Sequence, residues 1–345
     1  MKKMLALLLA LVMVLSLAAC ASSQPAAAST ETAETTETTE PAAEEPAEAP
    51  AESGKTYTVG VCQLVQHEAL DAATQGFIDA LKEELGDAVT VDVQNASGDS
   101  VNCGTIVNGF VSKGVDLIMA NATPALTAAV SATADIPILG TSITAYGVAL
   151  DIDDFNGTVG GNVSGTSDLA DLQAQAQMIL DWFPETKTVG LLFCSAEPNS
   201  RYQIDEVRKA LEAQGVTCEE FAFTDSNDVS SVTQKAADFS DVVYIPTDNT
   251  AASNTEAIAN VLIPAGVPAV CGEEGLCRGC GVATLSISYY DLGVTTGKMA
   301  AKILKGEADI STMPVEYTDA TPKYNASVCE QLGITPLDGY EAIDG

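Results

Sequence analysis

Residues 116–125 (DLIMANATPA) and residues 241–250 (DVVYIPTDNT) repeat one design, in which an apolar run passes without interruption into Pro, Thr, Asp and Asn. A strand that is apolar at nearly every residue must be covered on both faces, as in a parallel sheet with helices on either side. The polar residues at its end are those that cap a following helix. Each junction therefore aims backbone N–H groups and hydroxyls at the space beyond the strand, where a small ligand could sit between the two.

Read in order, residues 57–65 (YTVGVCQLV) predict a strand, and His67 or Glu68 to Leu85 a helix with Leu70, Phe77, Leu81 and Leu85 on its buried stripe. Val89, Val91 and Val93 mark a second strand, residues 100–113 a second helix, DLIMA a third strand, and IPILG a fourth after a helix that follows Pro124. The second half answers with VGLLF for VGVCQ, TCEEFAF for VTVDVQ, DVVYI for DLIMA and VPAVCG for IPILG. First and third strands stand 57 residues apart in one half (Val59 to Asp116) and 52 in the other (Val189 to Asp241). This duplication predicts an α/β fold of two doubly wound parallel-sheet lobes. Residues 146–167, rich in Gly, Asn, Thr and Asp, read as strand, loop and crossover and predict the hinge between them; the GGNVSG inside lacks the glycine spacing of a dinucleotide loop. GVATLSIS predicts one more strand, and residues 290–305 a long helix returning to the first lobe. The expected lobes are 56–162 with about 288–314, and 163–287 with about 315–345.

Residues 1–20 carry two lysines, an apolar run and then Leu17, Ala18, Ala19 and Cys20, the pattern of a lipoprotein signal peptide with Cys20 as the lipidated residue. Residues 21–55 are Ala, Ser, Thr, Pro and Glu without an aromatic, a composition that predicts a disordered tether. The formal charge of −33 becomes about −28 for the remaining body once Lys2, Lys3, the tether's eight glutamates and Lys55 are set aside. Such a body is no nucleic-acid partner. At about 290 residues it suits two domains. Eight cysteines besides Cys20 permit disulfides, but Cys62 and Cys194 lie in strand patterns as small buried hydrophobes.

Ligands of open α/β sheets lie beyond the carboxyl ends of the strands. That rule selects Gln63, His67, Thr123, Thr141 and Ser142 from the first lobe, and Asn199, Ser200, Thr247, Asp248, Asn249 and Glu273 from the second. Asp248 has two readings, a partner for a ligand ammonium group and a helix N-cap. Asn199 and Ser200 suit a carboxylate at a helix N-terminus or plain capping. His67 is the only histidine, and no nucleophile or orienting acid accompanies it, so the chain does not read as an enzyme. Leu64, Tyr146, Tyr289 and Tyr290 are candidates for a pocket wall or for core. Cys271, Cys277 and Cys280 offer one CxxC where a zinc site wants two pairs, and predict a local disulfide or free thiols in a glycine-rich loop. Neither metal nor cofactor is expected.

QHEALDAATQGFIDAL from Gln66, ATPAL from Ala122, PTDNT from Pro246 and YYDLGVTTGKMAAKIL from Tyr289 together resemble the ABC transporter substrate-binding proteins of the TrpX type, in the type I periplasmic-binding-protein superfamily. The cysteine cluster is outside the family pattern. The resemblance implies a monomeric, membrane-tethered receptor on the outer face of the cell membrane. It would close on a small solute and deliver it to a permease with its ATPase. Tryptophan or another aromatic amino acid is the implied ligand, Asp248 meeting the amine and the helix starts near Thr123 and Ser200 the carboxylate. A nucleoside or sugar ligand, or a sensory role through a membrane receptor, are the alternatives.

Overall fold

The computed structural model describes residues 55–343; the signal segment, Cys20 and nearly all of the tether lie outside the described residues. The first lobe is built from β1 (Tyr57–Gln63), α1 (Glu68–Leu85), β2 (Val89–Asn95), α2 (Ser100–Lys113), β3 (Leu117–Asn121), α3 (Thr123–Ala132), β4 (Ile138–Ile143), the single turn α4 (Tyr146–Ala149) and β5 (Val163–Ser167). The second contains α5 (Leu172–Trp182), β6 (Thr188–Cys194), α6 (Pro198–Glu212), β7 (Thr217–Phe223), α7 (Val229–Phe239), β8 (Val242–Ile245), α8 (Asn249–Ala252), α9 (Thr255–Ala265), β9 (Ala269–Cys271), α10 (Glu274–Cys280) and β10 (Ala283–Ser286). There follow α11 (Tyr289–Lys305), β11 (Glu316–Tyr317), β12 (Thr321–Tyr324), α12 (Ala326–Leu332) and β13 (Glu341–Ala342).

Two sheets result, β11-β5-β4-β3-β1-β2 and β13-β12-β10-β9-β8-β6-β7. The first is parallel throughout, and in the second only β10 with β12 is antiparallel. β3, β4 and β8 are buried at every residue, as their uniform apolarity or small side chains require. Both faces of each sheet carry a core. Phe77, Leu81, Met299 and Leu304 lie under α1 and α11, with Phe110 and Leu126 opposite. Met178, Ile204 and Leu211 lie on one face of the second sheet, and Ile258, Leu262 and Leu276 on the other. Each such side chain contributes about 1.5–3 kcal/mol by leaving water.

α11 packs against α1 of the first lobe, and glycine sets how closely. A methyl on Gly293 would run into the Ala73 carbonyl oxygen, and one on Gly76 into that of Tyr290, so α1 and α11 touch backbone to backbone. The lobe boundaries differ from expectation. Residues 163–167 form the fifth strand of the first sheet rather than the start of the second lobe, and residues 316–317 pair with that strand. VSGTS hides its burial because its polar groups are satisfied internally: Ser164 Oγ donates to Met313 O at 2.9 Å, and Thr166 Oγ1 bonds Thr296 Oγ1 at 2.8 Å. The chain thus passes between sheets at residues 168–171, 287–288 and 318–320. Much of the expected hinge, residues 146–167, is instead α4 and β5, with Tyr146 buried in the first core and its hydroxyl donating to Thr166 O.

Cys277 and Cys280 are not in a loop. They lie on α10 with Cys271 beside them on β9, all buried, and the eight cysteines of the described region are unpaired. Glu273 caps this helix, and Gly279 lets it approach Thr255 on α9, so the glycines serve packing rather than breaking the helix. Burial pushes the Cys271 and Cys277 thiols up, away from the reactive thiolate.

Candidate functional site

Parallel registry aligns the strand ends: Gln63 opposes Asn121, which opposes Thr141 in the first sheet, and Ile245 opposes Cys271 in the second. Residues from both sheets' strand ends line an inner cavity of about 10 Å3, room for one water-sized group. Of the sequence's candidates, His67, Ser142, Asn199, Thr247, Asp248, Asn249 and Glu273 line it, together with Leu70, Thr144, Asp168, Ala252 and Tyr289. Outside it lies a pocket of about 470 Å3 with Leu64, Val65 and Pro124 on one side and Ala196, Glu197 and Thr250 on the other. Asn249 lines both.

The second-lobe wall is a framework of satisfied polar groups. Asp248 is the N-cap of α8: Oδ1 accepts from Ala251 N at 2.8 Å, while Oδ2 accepts from Cys194 N at 2.6 Å and Ser200 Oγ at 2.8 Å. Its carboxylate is thereby committed to tying β6 and α6 to α8, the N-cap role of the two the sequence offers. Burial, with the Glu197 charge nearby, pushes its pKa up. Glu197 accepts from Asn249 N and Nδ2 at 3.0 and 2.7 Å and from Thr250 N and Oγ1 at 2.9 and 2.8 Å. Glu273 accepts from Gly275 N at 2.6 Å and from Leu276 N, and burial pushes its carboxyl up to about 7.

Four predicted residues do not reach the cavity. Gln63 is held by Asp71, Thr74 and Val65 O; Thr141 bonds Thr166 and Thr296; Ser200 serves Asp248; Thr123 is buried at the start of α3. Of the other candidates, Tyr290 is exposed and donates to Asp79 at 3.1 Å.

The cavity instead collects unpaired polar atoms. Nine buried side-chain polar atoms lack a partner among the described residues, and four of them line this one space: His67 Nδ1, Ser142 Oγ, Asp168 Oδ1 and Asn199 Oδ1. Native proteins rarely leave such groups orphaned, so four around one space mark it as a candidate binding site. Ser142 also sits at φ 56° beside a register shift in β4, a strained conformation of the kind that accumulates at binding sites. Asp168 immediately follows β5, and its Oδ2 accepts from Tyr289 Oη at 2.9 Å. Burial pushes the Asp168 carboxyl up. The strand-end rule would have found Asp168 had the strand expected within residues 146–167 been placed at VSGTS.

A hydrogen bond and an ion pair are among the contacts that cross the cleft. His67 Nε2 lies 3.2 Å from Asn249 Oδ1; since that oxygen only accepts, Nε2 carries the proton. Burial lowers the imidazole pKa despite the Asn249 hydrogen bond and the Glu197 and Asp71 charges, so the ring is neutral. At the edge, Arg278 Nη1 of α10 meets Glu68 Oε1 of α1 at 2.6 Å, and Arg278 Nη2 meets Glu274 Oε1 at 2.8 Å.

Comparison with known proteins extends this geometry. Residues 58–339 match the family described as ABC transporter substrate binding protein. A tyrosine-binding protein of Clostridioides difficile is 32% identical over 276 residues, 78% of this chain and 79% of that protein. The crystal structure of an ABC domain from Streptococcus pneumoniae in complex with L-Trp is 32% identical and superposes with a TM-score of 0.79, covering 84% of this chain and 100% of that one. The ligand-free, open structure of a substrate-binding protein with adhesive properties from Clostridium difficile is also 32% identical, covering 84% and 99%, but superposes at 0.64. With two parallel-dominated sheets, a cleft at their strand ends and a match over nearly the whole body, the chain belongs to the ABC transporter substrate-binding protein family.

Proposed function

We propose that this protein is a membrane-tethered lipoprotein of an ABC importer that binds an amino acid with an aromatic side chain, such as tryptophan or tyrosine, between its two lobes. The observation that carries the reading is the convergence of His67 Nδ1, Ser142 Oγ, Asp168 Oδ1 and Asn199 Oδ1 on one cavity. Polar atoms fix orientation in such sites while a larger space takes the body of the ligand; the outer pocket, with Leu64, Val65 and Pro124, offers that space. The tyrosine-binding and L-Trp-bound relatives support the ligand class. Leu17, Ala18, Ala19 and Cys20 support anchoring through a lipid on Cys20 on the outer face of the membrane, with a permease and its ATPase as partners. Ligand contacts from both lobes favour the closed form, and release reopens the cleft.

The test is mass spectrometry of what co-purifies in the cleft, followed by a thermal-shift panel on the stripped protein. Tryptophan, tyrosine or phenylalanine should raise the melting temperature. A shift by sugars or nucleosides with none by aromatic amino acids would overturn the ligand class.

A further inference from the structure

We propose that Cys62 and Cys103 are a redox dithiol that a low-molecular-weight disulfide, such as oxidised glutathione, converts to an intramolecular disulfide, stapling β1 to the first turn of α2 behind the wall of the outer pocket. The modification is independent of which ligand the cleft takes.

Backbone bonds bring the two residues together. Ala96 N donates to Gln63 O at 2.9 Å and Gly98 N to Leu64 O at 2.8 Å, so the entry to α2 lies along the end of β1. Asp99 then caps the helix, its Oδ1 accepting from Val101 N at 2.7 Å. Cys103, Val107 and Phe110 form the buried stripe of α2 at helical spacing, and the Phe110 ring packs where a methyl on Gly60 would stand. Nearer the helix start Cys103 meets Cys62, and the two thiols, both 0% exposed, are hydrogen-bonded to each other. Cys62 is the donor. That bond and then burial push the Cys62 thiol up, while the same bond pulls Cys103 down against burial and the Asp99 charge. Cys103 is also the fourth residue of a 14-residue helix, in the first turn, where the macrodipole favours a thiolate.

Elsewhere burial works the other way, pushing the Cys194 and Cys218 thiols up to about 11 and raising Cys271, Cys277 and Cys329. Disulfides persist outside the cytoplasm, where the signal pattern of residues 1–20 directs the chain. Leu64 and Val65 after β1, and Ser97, Gly98 and Asp99 before α2, line the outer pocket, so the dithiol sits directly behind that wall. Ser100, Val101 and Asn102 are exposed, and opening of this one turn uncovers Cys103. Its thiolate then attacks one sulfur of the oxidant; the oxidant's S–S bond breaks, and one small thiolate leaves with the electron pair and takes up a proton. Cys62, having lost its proton, attacks Cys103 Sγ in the mixed disulfide and expels the second small thiol. Two protein thiols and one small disulfide become one protein disulfide and two small thiols.

Non-reducing mass spectrometry decides it, on protein that has been fully reduced and then either incubated folded or refolded from denaturant in excess oxidised glutathione. A linked Cys62–Cys103 peptide pair is expected. The bond closes a loop of 41 positions, so the oxidised protein should melt about 5 °C above the reduced one. Amide hydrogen exchange over residues 100–104 should slow by roughly tenfold or more, and Cys103→Ser should abolish both differences. Both cysteines still open to alkylation after either treatment, a glutathione adduct on Cys103 that goes no further, or bonds formed only among the other cysteines, such as Cys271 with Cys280, would each overturn the proposal. A Cys62–Cys103 bond that left melting and exchange unchanged would overturn the staple. Should Cys103→Ser fail to fold, Cys62→Ala takes its place, and the bond mapped in the wild type decides if neither folds.

Discussion

Replacing Glu273 with Gln should flatten a fall in stability expected of the protein on going from mildly acidic to mildly basic pH. Glu273 is 2% exposed. Two backbone N–H bonds favour its ionised form, but burial outweighs them, with the Glu68 and Glu274 charges adding, and its carboxyl stands at about 7. In the unfolded chain a glutamate titrates at about 4.3. Between those values the folded protein holds a proton that the unfolded chain has released. This contribution is therefore fully present below the unfolded value and is lost as pH rises through the folded one. From pH 5 to pH 8 the loss is about 2.5 kcal/mol, at 1.36 kcal/mol per unit. An unfolding entropy of about 0.6 kcal/mol/K for a body this size converts that to about 4 °C. Scanning calorimetry of ligand-stripped wild type and Glu273→Gln at the two pH values measures it, and Asp168 and Asp248, also raised, cancel in the comparison. Asp92, held down by Lys113, and Asp241, held down by the Lys187 and Thr188 backbone, have the opposite sign and act only below about pH 4. Equal pH dependence in the two proteins would refute the reasoning.

Asp248→Ala should lower the melting temperature of the ligand-free protein. It strands Cys194 N, Ala251 N and Ser200 Oγ, each worth about 1–3 kcal/mol when left buried and unpaired, partly offset by relief of the repulsion from Glu197. A variant that melts like wild type but loses affinity would return Asp248 to the ligand. Arg278→Ala removes the ion pair with Glu68 across the cleft, whose side chains are 38% and 48% exposed. Exposed pairs are worth about 0.2–1 kcal/mol, so ligand affinity should drop by up to about fivefold in low salt. The difference should vanish near 1 M NaCl; persistence there would mean that Arg278 acts by other means.

α1 at Glu68–Leu85 and α2 at Ser100–Lys113 were legible to within a residue, because apolar spacing and polar N-terminal residues are signals carried inside each segment. β5 and α10 were not. VSGTS is polar yet wholly buried, its Ser164 and Thr166 hydroxyls satisfied by Met313 and Thr296, more than a hundred residues away. EGLCRGC is glycine-rich yet helical, its start capped by Glu273 and its glycine fitted against Thr255. Neither compensation exists within the segment itself.

By itself the sequence determined the α/β class, the duplicated plan and the strand-end positions at which a ligand could be met, since all three follow from periodicity and capping over a few residues. Only the tertiary structure decided which of those polar residues are spent on the frame and which keep an unpaired atom at the cavity. Asp248 is consumed by Cys194 and Ser200, whereas Asp168 shares only one oxygen with Tyr289. A carboxylate's free valence depends on partners 48 to 121 positions away along the chain, and local pattern holds no record of them.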